Sequence, residues 1–202
     1  MLSGPGARMS SVAANEKPAS APVISRHYSW IVRYGGGVIR PATRADVPVL
    51  VELIGELADY ERARDQVEID NEMLEQALFG PEPSAGVIVA TVNDLVVGMA
   101  LYYRSFSTWT GRPGIYLEDL YVRPMYRGSG VGKGLLASLA RIALTDSCAR
   151  LEWSVLDWNE PAIAFYQSIG AVEMDEWVRY RLAGPALAEF AALAELDEAE
   201  SA

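Results

Sequence analysis

Ile115-Tyr-Leu-Glu-Asp-Leu-Tyr-Val-Arg-Pro-Met-Tyr-Arg-Gly-Ser-Gly-Val-Gly-Lys-Gly134 decides the fold, because it reads as a strand, a glycine-rich turn and the start of a helix. Ile115, Leu117 and Leu120 to Val122 form an apolar and aromatic run of strand type. Arg123-Pro124 closes it, since proline has no N–H to give a sheet ladder. A helical stripe follows at Val131, Leu135, Leu139 and Ile142, with Leu136, Ala140 and Ala143 beside it, which puts Gly128, Gly130 and Gly132 around the first helical turn. Such a turn offers unpaired amides and the positive end of the helix dipole, the elements of an anion site.

Several readings compete for these glycines. A Walker A loop fails, because Gly132-Lys133 is followed by Gly134 and position 127 is arginine. A dinucleotide fingerprint can be laid on Gly132-Lys-Gly134-Leu-Leu-Ala137, with Glu152 or Asp157 as ribose acceptor. The preceding strand, however, ends well before those glycines, where a Rossmann turn follows its strand tightly. A glycine-rich helix start that binds nothing is the plainest alternative. The remaining reading, Arg127-x-x-Gly130-x-Gly132 directly after a strand and its short exit, resembles the pyrophosphate-binding signature of the GNAT superfamily of N-acetyltransferases.

The 202 residues fit one domain with peripheral tails, and half of them are hydrophobic, enough for a substantial core. No apolar run approaches the roughly 20 residues that cross a bilayer, and no secretory leader is visible, so no membrane partner is expected. Cys148 stands alone, which excludes an intramolecular disulfide and a thiolate metal cluster, and a reducing cytoplasm is the simplest home. His27 is the one histidine and lies near the N-terminus, so neither a histidine triad nor a histidine-rich metal site is expected and no metal is assigned.

The formal net charge is −10, and much of it lies between Glu52 and Glu82, where ten acids face only Arg62 and Arg64. Nucleic acid is a poor partner for such a surface, because its phosphates require basic patches. A cationic small molecule suits it, although a solvated acidic helix pair gives the same pattern.

Residues 1–37 read as a flexible N-terminal extension. Met1 to Pro22 is rich in Ser, Ala, Gly and Pro, Ile24 to Tyr34 has the composition of an extra strand, and Gly35-Gly-Gly37 forms a joint. The domain is expected over residues 38–183. Val38 to Pro41 is its first strand, Thr43 or Asp46 caps a helix with Val47, Leu50, Leu53, Ile54 and Leu57 buried, and Asp70 caps a second helix ending at Gly80. Asn93-Asp94 joins a hairpin. After the glycine-started helix come a strand over Arg150 to Leu156 and a helix capped by Asn159 and closed by Gly170. Two short strands near Ala171 to Met174 and Trp177 to Leu182 complete the domain. Residues 184–202 form an acidic helical tail.

This order predicts an α/β (α+β) domain, and it is the element order of the GNAT fold, a mixed, mostly antiparallel sheet flanked by helices. Ile39-Arg-Pro-Ala-Thr43, Leu57-Ala-Asp-Tyr-Glu61, Gln66-Val67, Tyr116-Leu-Glu-Asp119 and Trp158-Asn-Glu-Pro-Ala-Ile-Ala-Phe-Tyr166 are similar to the diamine acetyltransferase branch, the spermidine/spermine and thialysine acetyltransferases. The resemblance implies direct acetyl transfer from acetyl-CoA to a small primary amine in a ternary complex, by a homodimer. It makes Tyr166 the proton donor to the leaving sulfur and Glu118 the group that binds the amine and relays its proton. It assigns the coenzyme to the backbone of Leu120, Tyr121 and Val122, to Arg127, Gly128, Ser129, Gly130, Val131, Gly132 and Lys133, and to Asn159, Glu160, Pro161, Ala162 and Tyr166. For the amine it implies Tyr60, Glu61, Glu118 and Asp119, with Trp109, Glu152 and Ser154 as further walls. Neighbouring strand carboxylates are costly to bury without a partner, which independently favours a site at Glu118 and Asp119.

One departure bears on the acceptor. Between Tyr60-Glu61 and Gln66-Val67 the polyamine enzymes are acidic, whereas this chain carries Arg62 and Arg64. Exposed, unpaired cations there would repel the far end of a polyamine by roughly 1 kcal/mol each. A short diamine, or a lysine-like amino acid whose carboxylate an arginine holds, fits better. The alternatives are an acyl-CoA-binding module without turnover, and an acceptor such as an aminoglycoside or a protein N-terminus.

Overall fold

The computed structural model describes residues 31–34 and 36–194, so Met9, His27 and the far end of the acidic tail lie outside the described residues. The chain divides between Ser154 and Val155 into two compact units. The first holds β1 (Val32–Tyr34), β2 (Gly37–Pro41), α1 (Val47–Tyr60), α2 (Asn71–Phe79), β3 (Gly86–Val92), β4 (Leu95–Ser107), β5 (Arg112–Val122), α3 (Val131–Thr145) and β6 (Leu151–Trp153). The strands form one six-stranded sheet in chain order. Neighbours run antiparallel from β1 to β5, and β6 returns parallel to β5 after the α3 crossover. The second unit holds α4 (Glu160–Ser168) and α5 (Gly184–Ala191).

β3 is buried along nearly its whole length, the mark of a strand covered on both faces. On one face Val47, Leu50 and Leu53 of α1 and Leu74 and Leu78 of α2 pack against Val87, Val89, Val96, Met99 and Tyr121. α3 packs across the sheet with Leu135, Leu139 and Ile142 buried. In the stripe expected on α1, Ile54 and Leu57 are only half-buried, and Ala58 is buried in their stead.

The caps follow local chemistry. Asp70 Oδ1 accepts from the amide of Met73 at 2.8 Å and opens α2. Asp46 precedes α1, but its carboxylate faces back: it takes both guanidinium nitrogens of Arg40, at 2.7 and 2.8 Å, and the amide and hydroxyl of Thr43. Burial alone would raise the Asp46 pKa, yet the hydrogen bonds from Arg40 and Thr43 hold it below its ordinary value. Asn93 and Asp94 adopt φ of 49° and 64°, the left-handed pair that a tight β3–β4 hairpin needs and that Asn and Asp tolerate. In the second unit, Asn159 caps α4 through the amide of Ala162, and Gly170 ends it with φ of 86°.

Three expectations need correction. The sheet begins at Val32, ahead of the boundary expected near Val38, because Val32, Arg33 and Tyr34 pair with Ile39, Val38 and Gly37. The strand expected over Arg150 to Leu156 pairs only over Leu151–Trp153. The two closing strands do not form: the stretch between α4 and α5 has a turn at Asp175-Glu176 and no ladder among the described residues. Apolar, β-branched composition suits a strand but does not supply the partner edge on which it pairs.

Candidate active site

The site starts from an irregularity in β5. Leu101 pairs with Asp119 and Tyr102 with Leu117, so Glu118 is an extra residue on β5 with no partner across the ladder. Such a bulge bends the strand and re-aims a side chain. Glu118 is accordingly exposed, whereas Leu117 beside it is buried. On the other side of β5, β6 pairs with Ile115, Tyr116 and Leu117 and goes no further. From Glu118 to Val122 that edge has no strand paired to it among the described residues.

After β5 the chain makes one tight turn over Pro124–Tyr126 and reaches the glycines. Gly128 and Gly130 have φ of 73° and 88°, a conformation that suits glycine. The amide of Arg127 donates to Pro124 O at 3.1 Å, and the first helical bond runs from Gly134 to Gly130 O at 3.0 Å. Between them the amides of Gly128, Ser129, Gly130, Val131, Gly132 and Lys133 bond to no other described residue. Gly132 is informative because neither backbone nor packing demands it. An added Cβ would meet only Val122 Cγ2, at 3.8 Å, so the missing side chain leaves room for a group approaching from outside.

Arg127 does something its motif did not announce. Its Nε donates to Val122 O at 2.8 Å, and its guanidinium lies over the rings of Tyr60, at 5.0 Å, and Tyr121, at 5.5 Å. This stacking ties the end of α1 to the end of β5 and to the glycine turn. Arg123 adds a second tie, through Glu56 at 3.0 Å, Glu52 at 3.3 Å and Val96 O at 3.3 Å.

These ties bring together Glu61, at the end of α1, and Glu118 and Asp119 of β5. Burial, and then the charges of Glu118 and Glu61, push Asp119 up to about 6, and burial raises Glu61. None of the three has a cationic partner among the described residues. Other acids of the rich stretch are engaged: Glu52 and Glu56 with Arg123, Asp59 with Arg64, and Glu75 with Arg44. Four acids of that stretch are thus held by arginines, whereas Glu61 joins Glu118 and Asp119 at the bulge with no cation among the described residues.

The remaining sequence candidates fall elsewhere. Trp109 sits at the tip of the β4–β5 hairpin, 89% exposed, at the end of β5 opposite the glycine turn. It is not brought beside Glu118. Glu152 pairs with Arg150 at 2.6 Å, and Ser154 Oγ shares a 2.7 Å hydrogen bond with the Tyr116 hydroxyl. Arg64 folds onto α1 against Gly55 and Asp59, so its charge is neutralised locally. Asn159, Glu160, Pro161, Ala162 and Tyr166 belong to the second unit, on α4 and its cap, where the Tyr166 ring lies 5.4 Å from that of Phe165.

Comparison with known proteins decides what this arrangement belongs to. The acetyltransferase (GNAT) family model matches residues 50–171. The chain belongs to the acetyltransferase (GNAT) family. The acetyltransferase is 41% identical over 165 residues to a bovine protein named thialysine N-epsilon-acetyltransferase, an alignment spanning 76% of this chain and 96% of that one. It is 38% identical to the human spermidine/spermine N(1)-acetyltransferase-like protein 1, over 67% of this chain and 20% of that longer one. Among solved structures, an integron cassette protein from the Vibrio cholerae mobile metagenome superposes with a TM-score of 0.66 at 31% identity, covering 77% of this chain and 98% of that one. The acetyltransferase is therefore an N-acetyltransferase of the diamine acetyltransferase branch, acting on amines with acetyl-CoA as cosubstrate. The unbonded amides from Gly128 to Lys133, with space above Gly132, suit a pyrophosphate.

Proposed function

We propose that this acetyltransferase acetylates the terminal primary amine of a lysine-like amino acid or a short diamine. The observation that carries this reading is the uncompensated cluster of Glu61, Glu118 and Asp119 at the β5 bulge, one strand-length from the glycine turn. Withdrawing the Asp119 carboxylate from water beside the charges of Glu61 and Glu118, which are themselves exposed, costs free energy unless a cation is held there, and an ammonium group is the cation an amine acetyltransferase receives.

Each group then has a task. Asp119 and Glu61 hold the ammonium form of the acceptor. Glu118, exposed on the bulge, takes the proton that must leave before nitrogen can attack, directly or through water. The backbone N–H groups around Leu120 to Val122 face the carbonyl oxygen as negative charge develops on it. The amides from Gly128 to Lys133 hold the pyrophosphate. The family resemblance is what supports coenzyme contacts by Asn159 to Ala162 and Tyr166 as the acid for the departing sulfur. Bound coenzyme supplies the acetyl thioester. Arg62, adjoining Glu61 in the chain, is the cation we assign to an amino-acid carboxylate, which favours thialysine-like acceptors over long polyamines. The family resemblance supports a homodimer, and the acidic surface and lone cysteine support a cytoplasmic enzyme without a nucleic-acid or membrane partner.

Thiol release from acetyl-CoA, followed with putrescine, spermidine, spermine, lysine, thialysine, an aminoglycoside and a peptide N-terminus, tests the reading. Thialysine or a short diamine should give the highest kcat/KM and spermine the lowest among the alkyl amines. Turnover confined to the aminoglycoside or the peptide would overturn the assignment of the carboxylate cluster.

A further inference from the structure

The N-terminal strand ends in a contact that the family match, which starts at residue 50, does not cover. Tyr34 pairs with Gly37, and its ring reaches across to the first turn of α3. A Cβ added at Gly130 would lie 2.6 Å from Tyr34 Cε1 and 2.7 Å from its hydroxyl oxygen; one added at Gly134 would lie 2.9 Å from Cγ and 3.1 Å from Cδ1. Gly130 caps α3 and Gly134 lies in its first turn, and one ring meets both, so the aromatic ring lies along that turn in a space that exists because both lack side chains. They also form the first helical hydrogen bond, Gly134 N–H to Gly130 O. The amides of Val131, Gly132 and Lys133 project from the same turn, and Gly132 has its open side away from this contact, toward Val122.

We propose that Tyr34 is a positioning residue for the coenzyme pyrophosphate: its ring, wedged against Gly130 and Gly134, holds the first turn of α3 with its free amides preset. The proposal rests on the reading of that turn as the coenzyme site. It makes β1 a working part of the coenzyme site and gives Gly130 of the motif, and Gly134 beyond it, a further reason to be glycine, room for a tyrosine. A turn left to fray must be ordered by the ligand itself, and that ordering is subtracted from affinity.

The test uses the full chain with Tyr34→Ala and Tyr34→Phe. In the coenzyme-free protein, exchange of the Gly134 amide, which is hydrogen-bonded to Gly130 O, should quicken in Tyr34→Ala while that of α1 stays as in the parent. Acetyl-CoA should then bind on the order of tenfold more weakly, with KM for the coenzyme rising in step. The amine KM and the kcat at saturating coenzyme should hold, and Tyr34→Phe should match the parent. If Tyr34→Ala loses its fold, Tyr34→Leu, which keeps apolar bulk without a flat ring, carries the same expectation. Unchanged exchange or unchanged coenzyme affinity would overturn the proposal, as would a uniform loss in both KM values and kcat. Failure of the parent protein to bind acetyl-CoA would instead overturn the reading of the turn.

Discussion

Asp119 ionises late because burial and the neighbouring charges of Glu118 and Glu61 all oppose its negative form. Its folded value, about 6, lies above the ordinary 3.8. The stability associated with that proton is therefore full below 3.8 and is lost as pH rises through about 6. Asp119→Asn removes the loss: its melting temperature should exceed the parent's above pH 6 and converge with it in acid, while its affinity for the amine falls. A melting series from pH 4 to 8 checks both the sign and the window. Tyr166 is tested by a different split. Tyr166→Phe removes only the phenolic hydroxyl, so kcat should fall roughly a hundredfold with acetyl-CoA binding nearly intact. Equal turnover of the two proteins would take away its role as acid.

At the scale of elements, α2 gives a direct test of local coding. Asp70 accepts the Met73 amide at the start of α2, and Asp70→Ala should cost about 1 kcal/mol, lowering the melting temperature by about 2 to 4 °C. A thermal scan at neutral pH measures it. This cap, the Asn93-Asp94 hairpin, the Asn159 and Gly170 ends of α4 and the strand–turn–helix around Arg127 were legible because each is fixed within a few residues of chain. The bulge was not. Two successive acids, Glu118-Asp119, interrupt the apolar run, but Glu118 becomes the extra residue only once β4 and β5 choose a register. The partners of two arginines were not legible for a related reason: Arg64 meets Asp59, and Arg127 meets Tyr60 and Tyr121, through contacts that spacing does not reveal. The expected strands after Ala171 fail because a strand is a property of two segments, and composition describes one.

At the scale of the molecule, the net charge of −10 is less uniform in effect than in count. Arg123 just after β5, Arg64 in the loop after α1 and Arg44 in the turn before it hold Glu52, Glu56, Asp59 and Glu75 of the acidic helical surface. Glu61, Glu118 and Asp119, positioned by two different elements, have no cation among the described residues, and Asp119 is repelled by the other two until something positive arrives. Near pH 6 that something can be a proton, so acceptor and proton compete for the same carboxylates. An ammonium group settling beside Asp119 must then displace hydrogen ions into the medium, at pH 6 and progressively less as pH rises toward 8. Titration calorimetry of the acceptor in buffers of different ionisation heat should therefore give buffer-dependent enthalpies at pH 6 and a common enthalpy at pH 8. The enzyme would take up its substrate as an ion exchanger does, trading one cation for another.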